Sequence, residues 1–123
     1  MAAIPTPEEL DELKDRVIEY LKENELWFDC GIYVNGKRYC YDSGSPDEIL
    51  IEDDIDVADY LEYYRREGNL FAMYFEGPLY EVINDYAPFD ECERFYNEFT
   101  GLLEEYGLYY ELGNAWNFSC YPI

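Results

Sequence analysis

The sequence predicts an α+β protein in which three helices pack on an antiparallel sheet of about six strands. Apolar residues recur at helical spacing in three segments, and strand-like runs with turn signals follow each of them. Aromatic residues make up 20% of the chain and apolar residues 49%, which is ample material for a core. With 123 residues, the chain is predicted to form one domain, residues 1–123.

The first helix has the clearest start signal. Thr6 is a preferred N-cap residue, Pro7 suits the first helical position, and Glu9 completes a capping box. The apolar residues that follow fall on one helical face. A helix is therefore predicted from Pro7 to about Asn24.

A β-hairpin is predicted next, because Asn35-Gly36 is a favoured sequence for a type I′ turn. Its strands are predicted over residues 26–34 and 37–42. The alternation of side chains places Cys30 and Cys40 on opposite faces, which excludes a disulfide within the hairpin. The face that carries Cys30 is predicted to hold Phe28, Cys30, Ile32, Val34, Tyr39 and Tyr41.

The middle of the chain is predicted as a short extended piece over residues 49–51, a second helix and a second hairpin. The helix is predicted from Asp54 or Ile55 to Glu67, with Gly68 as its left-handed stop. The hairpin is predicted to join residues 70–76 and 79–86 around Gly77-Pro78. The inward side chains of the second helix are predicted to be Val57, Tyr60, Leu61 and Tyr64.

The C-terminal part is predicted as a third helix and a third hairpin. The helix follows Pro88 and ends at Gly107, because apolar residues between them recur at helical spacing. These residues are Cys92, Phe95, Tyr96, Phe99, Leu102, Leu103 and Tyr106. The hairpin is predicted to join residues 108–112 and 115–121 through Gly113-Asn114. Its core face is predicted to carry Tyr109, Trp116, Phe118 and Cys120.

A helix followed by a hairpin is thus predicted three times. One interpretation is a triplicated α-β-β unit that builds a single sheet. The other is chance alternation in a small chain, since the sequence identity between the units is slight. The α+β class is the same under both interpretations.

The sequence offers few residues for catalysis. It contains no histidine, which excludes Ser-His-Asp, Cys-His and His-ligated zinc sites. No phosphate-binding glycine loop or nucleophile elbow is present. The segment Asp54-Ile-Asp56-Val-Ala58 departs from a calcium loop at its fifth position and lacks the glycine at the sixth. We therefore predict a non-enzymatic protein without cofactor or metal. An enzyme or a sugar-binding domain stays an alternative, although 29 acids make any carboxylate pair uninformative.

The cellular setting follows from three sequence features. The N-terminus lacks a secretory signal pattern, and no run of 18 apolar residues is present. The four cysteines show no paired spacing, so we expect buried free thiols in a reducing compartment. A cytoplasmic protein is predicted.

The net charge defines the expected partner. The chain has 29 acidic and 8 basic residues, for a formal charge of −21. Such a charge argues against direct binding to nucleic acid or to an anionic membrane and favours a basic protein partner. A halophilic housekeeping domain would also be acidic, but such domains favour Asp, whereas Glu predominates in this sequence.

The acids are arranged in columns. Five of them lie opposite the apolar face of the first helix: Glu8, Glu12, Asp15, Glu19 and Glu23. On the third helix, Glu91, Glu98 and Glu105 share a line, with Glu104 beside it. Like charges four residues apart cost roughly 0.2–0.5 kcal/mol each, and an ordinary solvated face would intersperse lysines. The columns are therefore either a surface that fits a cationic cavity or a generic solvated coat.

The size of the domain suits the first interpretation. A domain of this length is roughly 35 Å across. Duplex DNA of the same length carries about 20 phosphate charges, which is close to the net charge of this chain. Carboxylates four apart on a helix lie ~5–6 Å from one another, a spacing that resembles that of successive phosphates.

In its small size, its acidity, the two columns and the run Asp53-Asp-Ile-Asp-Val-Ala-Asp59, the chain resembles the anti-CRISPR and anti-restriction proteins of phages and mobile elements. This resemblance implies an inhibitor that occupies the cationic groove of a nuclease or its guide complex by mimicking nucleic-acid charge. The alternative is an immunity protein that neutralises a basic toxin nuclease. Tyr63 is predicted either as an anchor in this interface or as a partly buried core residue. The predicted partner-binding residues are Glu52, Asp53, Asp54, Asp56, Asp59, Glu62, Tyr63, Glu91, Glu98, Glu104 and Glu105.

Overall fold

Three α-helices and a six-stranded antiparallel sheet make up the described part of the chain, which confirms the predicted α+β class. The structure is a computed structural model and describes residues 4–45, 47–61 and 68–123. The helices are α1 (Pro7–Glu23), α2 (Pro78–Ile83) and α3 (Phe89–Glu104). The strands are β1 (Cys30–Val34), β2 (Lys37–Tyr41), β3 (Ile49–Glu52), β4 (Phe71–Phe75), β5 (Leu108–Asn114) and β6 (Asn117–Pro122). Their order in the sheet is β3-β2-β1-β4-β6-β5.

Helix α1 begins and ends with hydrogen-bonded caps. The Glu9 N–H donates to Thr6 Oγ1 at 3.2 Å and the Thr6 N–H donates to Glu9 Oε1 at 3.1 Å, so the predicted capping box is confirmed. At the other end, the Leu26 N–H donates to the Leu21 carbonyl at 2.7 Å, as in a Schellman motif. Glu25 occupies the left-handed position of that motif, with φ of 58°, where glycine is the usual residue.

Replacing this residue, Glu25→Gly, is expected to stabilise the protein by roughly 0.5–1 kcal/mol. A side chain in the left-handed region clashes with its own backbone, and glycine removes that clash. The matched control is Glu19→Gly, which makes the same chemical change at an exposed position inside α1 and should cost about 1 kcal/mol. Urea unfolding followed by circular dichroism measures both. Destabilisation by both variants would show that the φ of Glu25 is not strained.

The first hairpin forms around the predicted turn, although β1 begins at Cys30 and residues 26–29 of the predicted strand are not part of it. Strands β1 and β2 pair in the register Val34↔Lys37 and Ile32↔Tyr39 across Asn35-Gly36. Cys30 lies in the core beneath the helices, whereas the thiol of Cys40 lies on the opposite face of the sheet. Phe28 is an exception, because it precedes β1, is exposed and contacts the edge of the Tyr41 ring.

The predicted second helix is wrong at its start. Asp54 has φ of 53°, outside the helical region, and a 3₁₀ turn, Val57–Asp59, forms where the helix is predicted. Asp56 caps this turn, since its Oδ1 accepts a hydrogen bond from the Ala58 N–H at 3.2 Å. Leu61 is buried as predicted, whereas Tyr60 is exposed. The rest of the predicted helix, with Tyr64, lies outside the described residues.

The predicted second hairpin is also wrong, although its first strand exists as β4. Strand β4 pairs with β1 on one side and with β6 on the other, so it leaves no edge for a returning strand. A Cβ atom on Gly77 would lie 2.4 Å from the Phe28 carbonyl oxygen, a contact that only glycine avoids. Pro78 follows at the first position of α2, where it needs no hydrogen-bond partner. The chain therefore leaves the sheet at Gly77 and becomes helical.

The third hairpin forms with a different turn and a different inner face. Its strands meet at Ala115-Trp116, and an irregularity between Leu112 and Asn114 shifts the register of β5. The ring of Tyr110, and not that of Tyr109, therefore packs in the core against Phe118, with 5.1 Å between ring centroids. Trp116 packs against the small cluster on the other face of the sheet. Burial of Phe118 and Cys120 is confirmed.

The element order contains two helix–hairpin units, α1-β1-β2 and α3-β5-β6. Between them the described residues form β3, the 3₁₀ turn, β4 and α2. Because Pro78–Ile83 is helical, the described part of the middle segment contains no third hairpin. The three helices bury their apolar stripes against one face of the sheet. The segment 55–61 packs on the other face, where Ile55 and Val57 contact a small cluster of Tyr33, Leu61 and Ala72.

Candidate protein-binding surface

Helices α1 and α3 lie side by side and run in opposite directions. The ring of Tyr20 on α1 packs against those of Phe95 and Phe99 on α3, with centroid distances of 6.1 and 6.4 Å. Hydrogen bonds join the exposed rims of the two helices. Tyr20 Oη donates to Glu98 Oε1 at 3.1 Å, and Arg16 Nη2 donates to Glu105 Oε2 at 3.0 Å. The contact is continued beyond α3 by Tyr106, whose hydroxyl donates to Glu12 at 2.9 Å.

Seven carboxylates converge along this helix pair. Two adjoining grooves, each of about 460 Å³, share Tyr20 and Glu23. The cations among the described residues that line them are Arg16 and Arg94. We call the acidic side chains of these grooves the α1–α3 acidic face: Glu19, Glu23, Glu25, Glu81, Glu91, Glu98 and Glu105.

Three members of this face leave their charge unneutralised. Glu19, Glu23 and Glu91 are exposed, and no described residue forms an ion pair or a hydrogen bond with their carboxylates. Glu98 and Glu105 are paired within the face, with Tyr20 and Arg16. Because like charges on neighbouring helices repel, this arrangement costs stability and favours contact with a cationic surface.

The acidic run that begins at Glu52 lies elsewhere. Segment 55–61 packs on the face of the sheet opposite to the helices. Glu52 pairs with Arg38, and Asp53 approaches Lys37 with 3.5 Å between Nζ and Oδ1. Asp54, Asp56 and Asp59 are exposed on that side. The predicted site residues therefore form two groups separated by the sheet, and Glu62 and Tyr63 fall outside the described residues.

The predicted contact residues at α3 also do not all lie on one surface. Glu91, Glu98 and Glu105 belong to the α1–α3 acidic face, whereas Glu104 is exposed outside its grooves. The acidic column of α1 places Glu19 and Glu23 in the face, although the sequence interpretation did not include them among the contact residues. Glu25 and Glu81 also belong to this face. The Schellman turn positions Glu25 and α2 positions Glu81, and neither element is predicted from the sequence.

The four cysteines are free thiols, and all of them are buried. Burial raises the pKa of the Cys30 thiol to about 12 and also raises that of Cys40. Both thiols therefore stay protonated at neutral pH, and the thiolate is the nucleophilic form. Among residues 4–45, 47–61 and 68–123, no group of three potential ligands is arranged to hold a metal ion. No helix in these ranges is long and apolar enough to cross a bilayer.

Comparison with the models of known protein families, with curated proteins and with solved structures finds no match.

Proposed function

We propose that the protein is a non-enzymatic inhibitor that binds the cationic groove of a nucleic-acid-binding nuclease, a CRISPR effector or a restriction enzyme. This proposal depends on one observation. Seven carboxylates line the two adjoining grooves along α1 and α3, whereas only two cations among the described residues line them. The net charge of −21 adds a long-range attraction to any basic protein.

The shape of the α1–α3 acidic face suits a groove that accepts a duplex. The carboxylates form two rows on antiparallel helices, with Glu19 and Glu23 in one row and Glu91, Glu98 and Glu105 in the other. The α3 row extends over 14 residues, or about 21 Å, which corresponds to roughly six base-pair steps at 3.4 Å.

The proposed contact keeps the predicted acids Glu91, Glu98 and Glu105 and leaves out the run 52–62, which is also predicted as a contact. The described part of that run, residues 52–61, lies on the opposite side of the sheet, and two of its acids face lysine or arginine partners. The α1–α3 acidic face carries more carboxylates without such partners. A cationic groove gains more from contact with unneutralised charges, because no ion pair within the protein must first be broken.

The experiment is capture followed by competition. The immobilised protein is incubated with a lysate, the retained fraction is assayed for nuclease activity, and a short DNA duplex is then added as competitor. We expect that a nuclease is retained, that the duplex releases it, and that added protein inhibits its cleavage of DNA. Retention should also fall steeply as salt rises, because screening weakens charge pairing.

Two outcomes of this experiment would contradict the proposal. One is retention of proteins without nuclease activity. The other is a retained nuclease that the duplex does not release, because a bound protein that leaves the DNA groove open behaves as an immunity protein directed at another surface.

A further inference from the structure

A second cleft lies on the side of α3 that faces away from α1. It has a volume of about 350 Å³ and is bounded by the end of α2, the first turns of α3 and strand β5. The rings of Phe89, Tyr96 and Tyr110 line it, together with the carboxylates of Asp85 and Glu93. The cleft is thus aromatic with an acidic rim.

Two of these rings are exposed to an unusual degree. Phe89 is 76% exposed and Tyr96 is 57% exposed. They stand seven residues apart on α3, so they share one helical face about 10 Å apart, and Glu93 lies between them. The sequence places Tyr96 in the buried stripe, and this prediction is wrong because Phe95 and Phe99 occupy the core side of α3. Adjacent exposed rings of this size mark an interaction surface.

The other wall of the cleft is held in place by the core. Tyr110 packs its ring against Phe99 and Phe118, with centroid distances of 6.0 and 5.1 Å. Burial raises the pKa of Tyr110, and the nearby Tyr96, Cys120 and Asp85 raise it further. Asp85 and Tyr96 line the same cleft as Tyr110. Core packing therefore sets the position of the Tyr110 ring.

We propose that this cleft binds an arginine side chain presented by the basic partner, so the inference rests on the proposed function for the nature of that partner. None of the described residues that line the cleft is cationic, which disfavours an anionic occupant. A purely apolar occupant would bring apolar atoms against Asp85 and Glu93. A guanidinium group suits both the aromatic rings and the carboxylates of the cleft, because it stacks on aromatic rings and donates paired hydrogen bonds to a carboxylate.

Arginine suits the cleft better than lysine does. The guanidinium group is planar and weakly hydrated, so it can lie against a ring while its edge reaches a carboxylate. The ammonium group of lysine is compact and strongly hydrated, and it pairs with a carboxylate only as a point charge. Arginine is also the charged residue most often found as a dominant contact in protein interfaces. Helix α3 would then contact the partner through acids on one side and through this cleft on the other.

The test uses the whole protein and two capped tripeptides, acetyl-Gly-Arg-Gly-amide and acetyl-Gly-Lys-Gly-amide. Ring-proton NMR signals are followed as each peptide is titrated at millimolar concentrations. We expect saturable shifts at Phe89, Tyr96 and Tyr110, with the arginine peptide binding roughly threefold more tightly than the lysine peptide. The variant Tyr96→Ala should remove this preference, and Tyr96→Phe, which keeps the ring, should preserve it.

Two further variants separate the cleft from general charge. Asp85 has φ of 61°, and Asp85→Asn is the matched change because asparagine tolerates the left-handed region. It should weaken arginine binding at the cleft, whereas Glu48→Gln, at an exposed position beside β3 and outside both surfaces, should leave the arginine preference unchanged. Circular dichroism confirms that each variant is folded.

The inference is overturned if both peptides bind equally well, or if Tyr96→Ala keeps the arginine preference. These measurements need no nuclease, so they are independent of the capture experiment. If the protein prefers the arginine peptide but captures no nuclease, the arginine site is supported and the proposed function is contradicted. If the protein captures a nuclease but shows no arginine preference, the proposed function is supported and the arginine site is contradicted.

Discussion

The triple variant Glu19→Lys, Glu23→Lys and Glu91→Lys is expected to weaken binding to the captured nuclease by roughly 100-fold or more. These side chains are exposed in the α1–α3 acidic face, and no described residue pairs with them. Their reversal changes the charge at the proposed contact by three times two units, or six. The fold should be retained, because the reversal removes repulsion without breaking an ion pair. Titration by surface plasmon resonance at fixed salt measures the change in Kd.

The matched control makes the same charge change away from that face. Asp47, Asp53 and Asp59 are exposed, and among the described pairs only the exposed contact of Asp53 with Lys37 would be lost. Their reversal to Lys should slow association through the long-range field, with a loss of roughly tenfold or less. Equal losses for the two sets would show that the charge is a generic coat. A larger loss for the control would return the contact to the run that begins at Glu52.

The variant Phe99→Ala is expected to lower the free energy of unfolding by about 3–5 kcal/mol. Phe99 is fully buried, and its ring packs against those of Tyr20, Phe95, Tyr110 and Phe118. It therefore joins α1, α3, β5 and β6 in one aromatic cluster. Because a domain of this size has roughly 5–15 kcal/mol of stability in total, the variant should be only marginally folded.

Tyr96→Ala is the matched control for this substitution. Tyr96 lies on the same helix, three residues earlier, but its ring is largely exposed. Its replacement should change stability by no more than about 0.5 kcal/mol. Urea unfolding followed by circular dichroism gives both values, and Phe99→Leu should recover more than half of the loss. A Phe99→Ala protein as stable as Tyr96→Ala would mean that the helices and the sheet are not packed as described.

Strong local signals predicted the elements that the structure confirms. The capping box at Thr6, the Asn35-Gly36 turn and the apolar stripe of α3 each act between residues that are close in sequence. The prediction of the second hairpin failed because β4 pairs with β1 and β6, which are distant in the chain, so that no edge is left for a returning strand. The prediction of the inner face of β5 was wrong because one irregularity in the register exchanges the directions of the Tyr109 and Tyr110 side chains.

In the candidate surface, too, some features follow from the local sequence and others depend on contacts between distant residues. The two acidic columns follow from helical periodicity alone, since residues three and four apart share a helical face. Their convergence depends on contacts such as that of Arg16 with Glu105, which lie 89 residues apart in the chain. The sheet likewise separates the Asp53–Asp59 run from the helices.

The sequence by itself therefore determined the fold class, the charge, the α1 and α3 helices and the absence of histidine chemistry. These properties depend on composition and on interactions within a few residues. Tertiary structure alone decided which acids share a surface and which rings stay exposed around the second cleft. Those outcomes depend on packing between elements that are distant in the chain, and periodicity does not encode which face of one helix meets another.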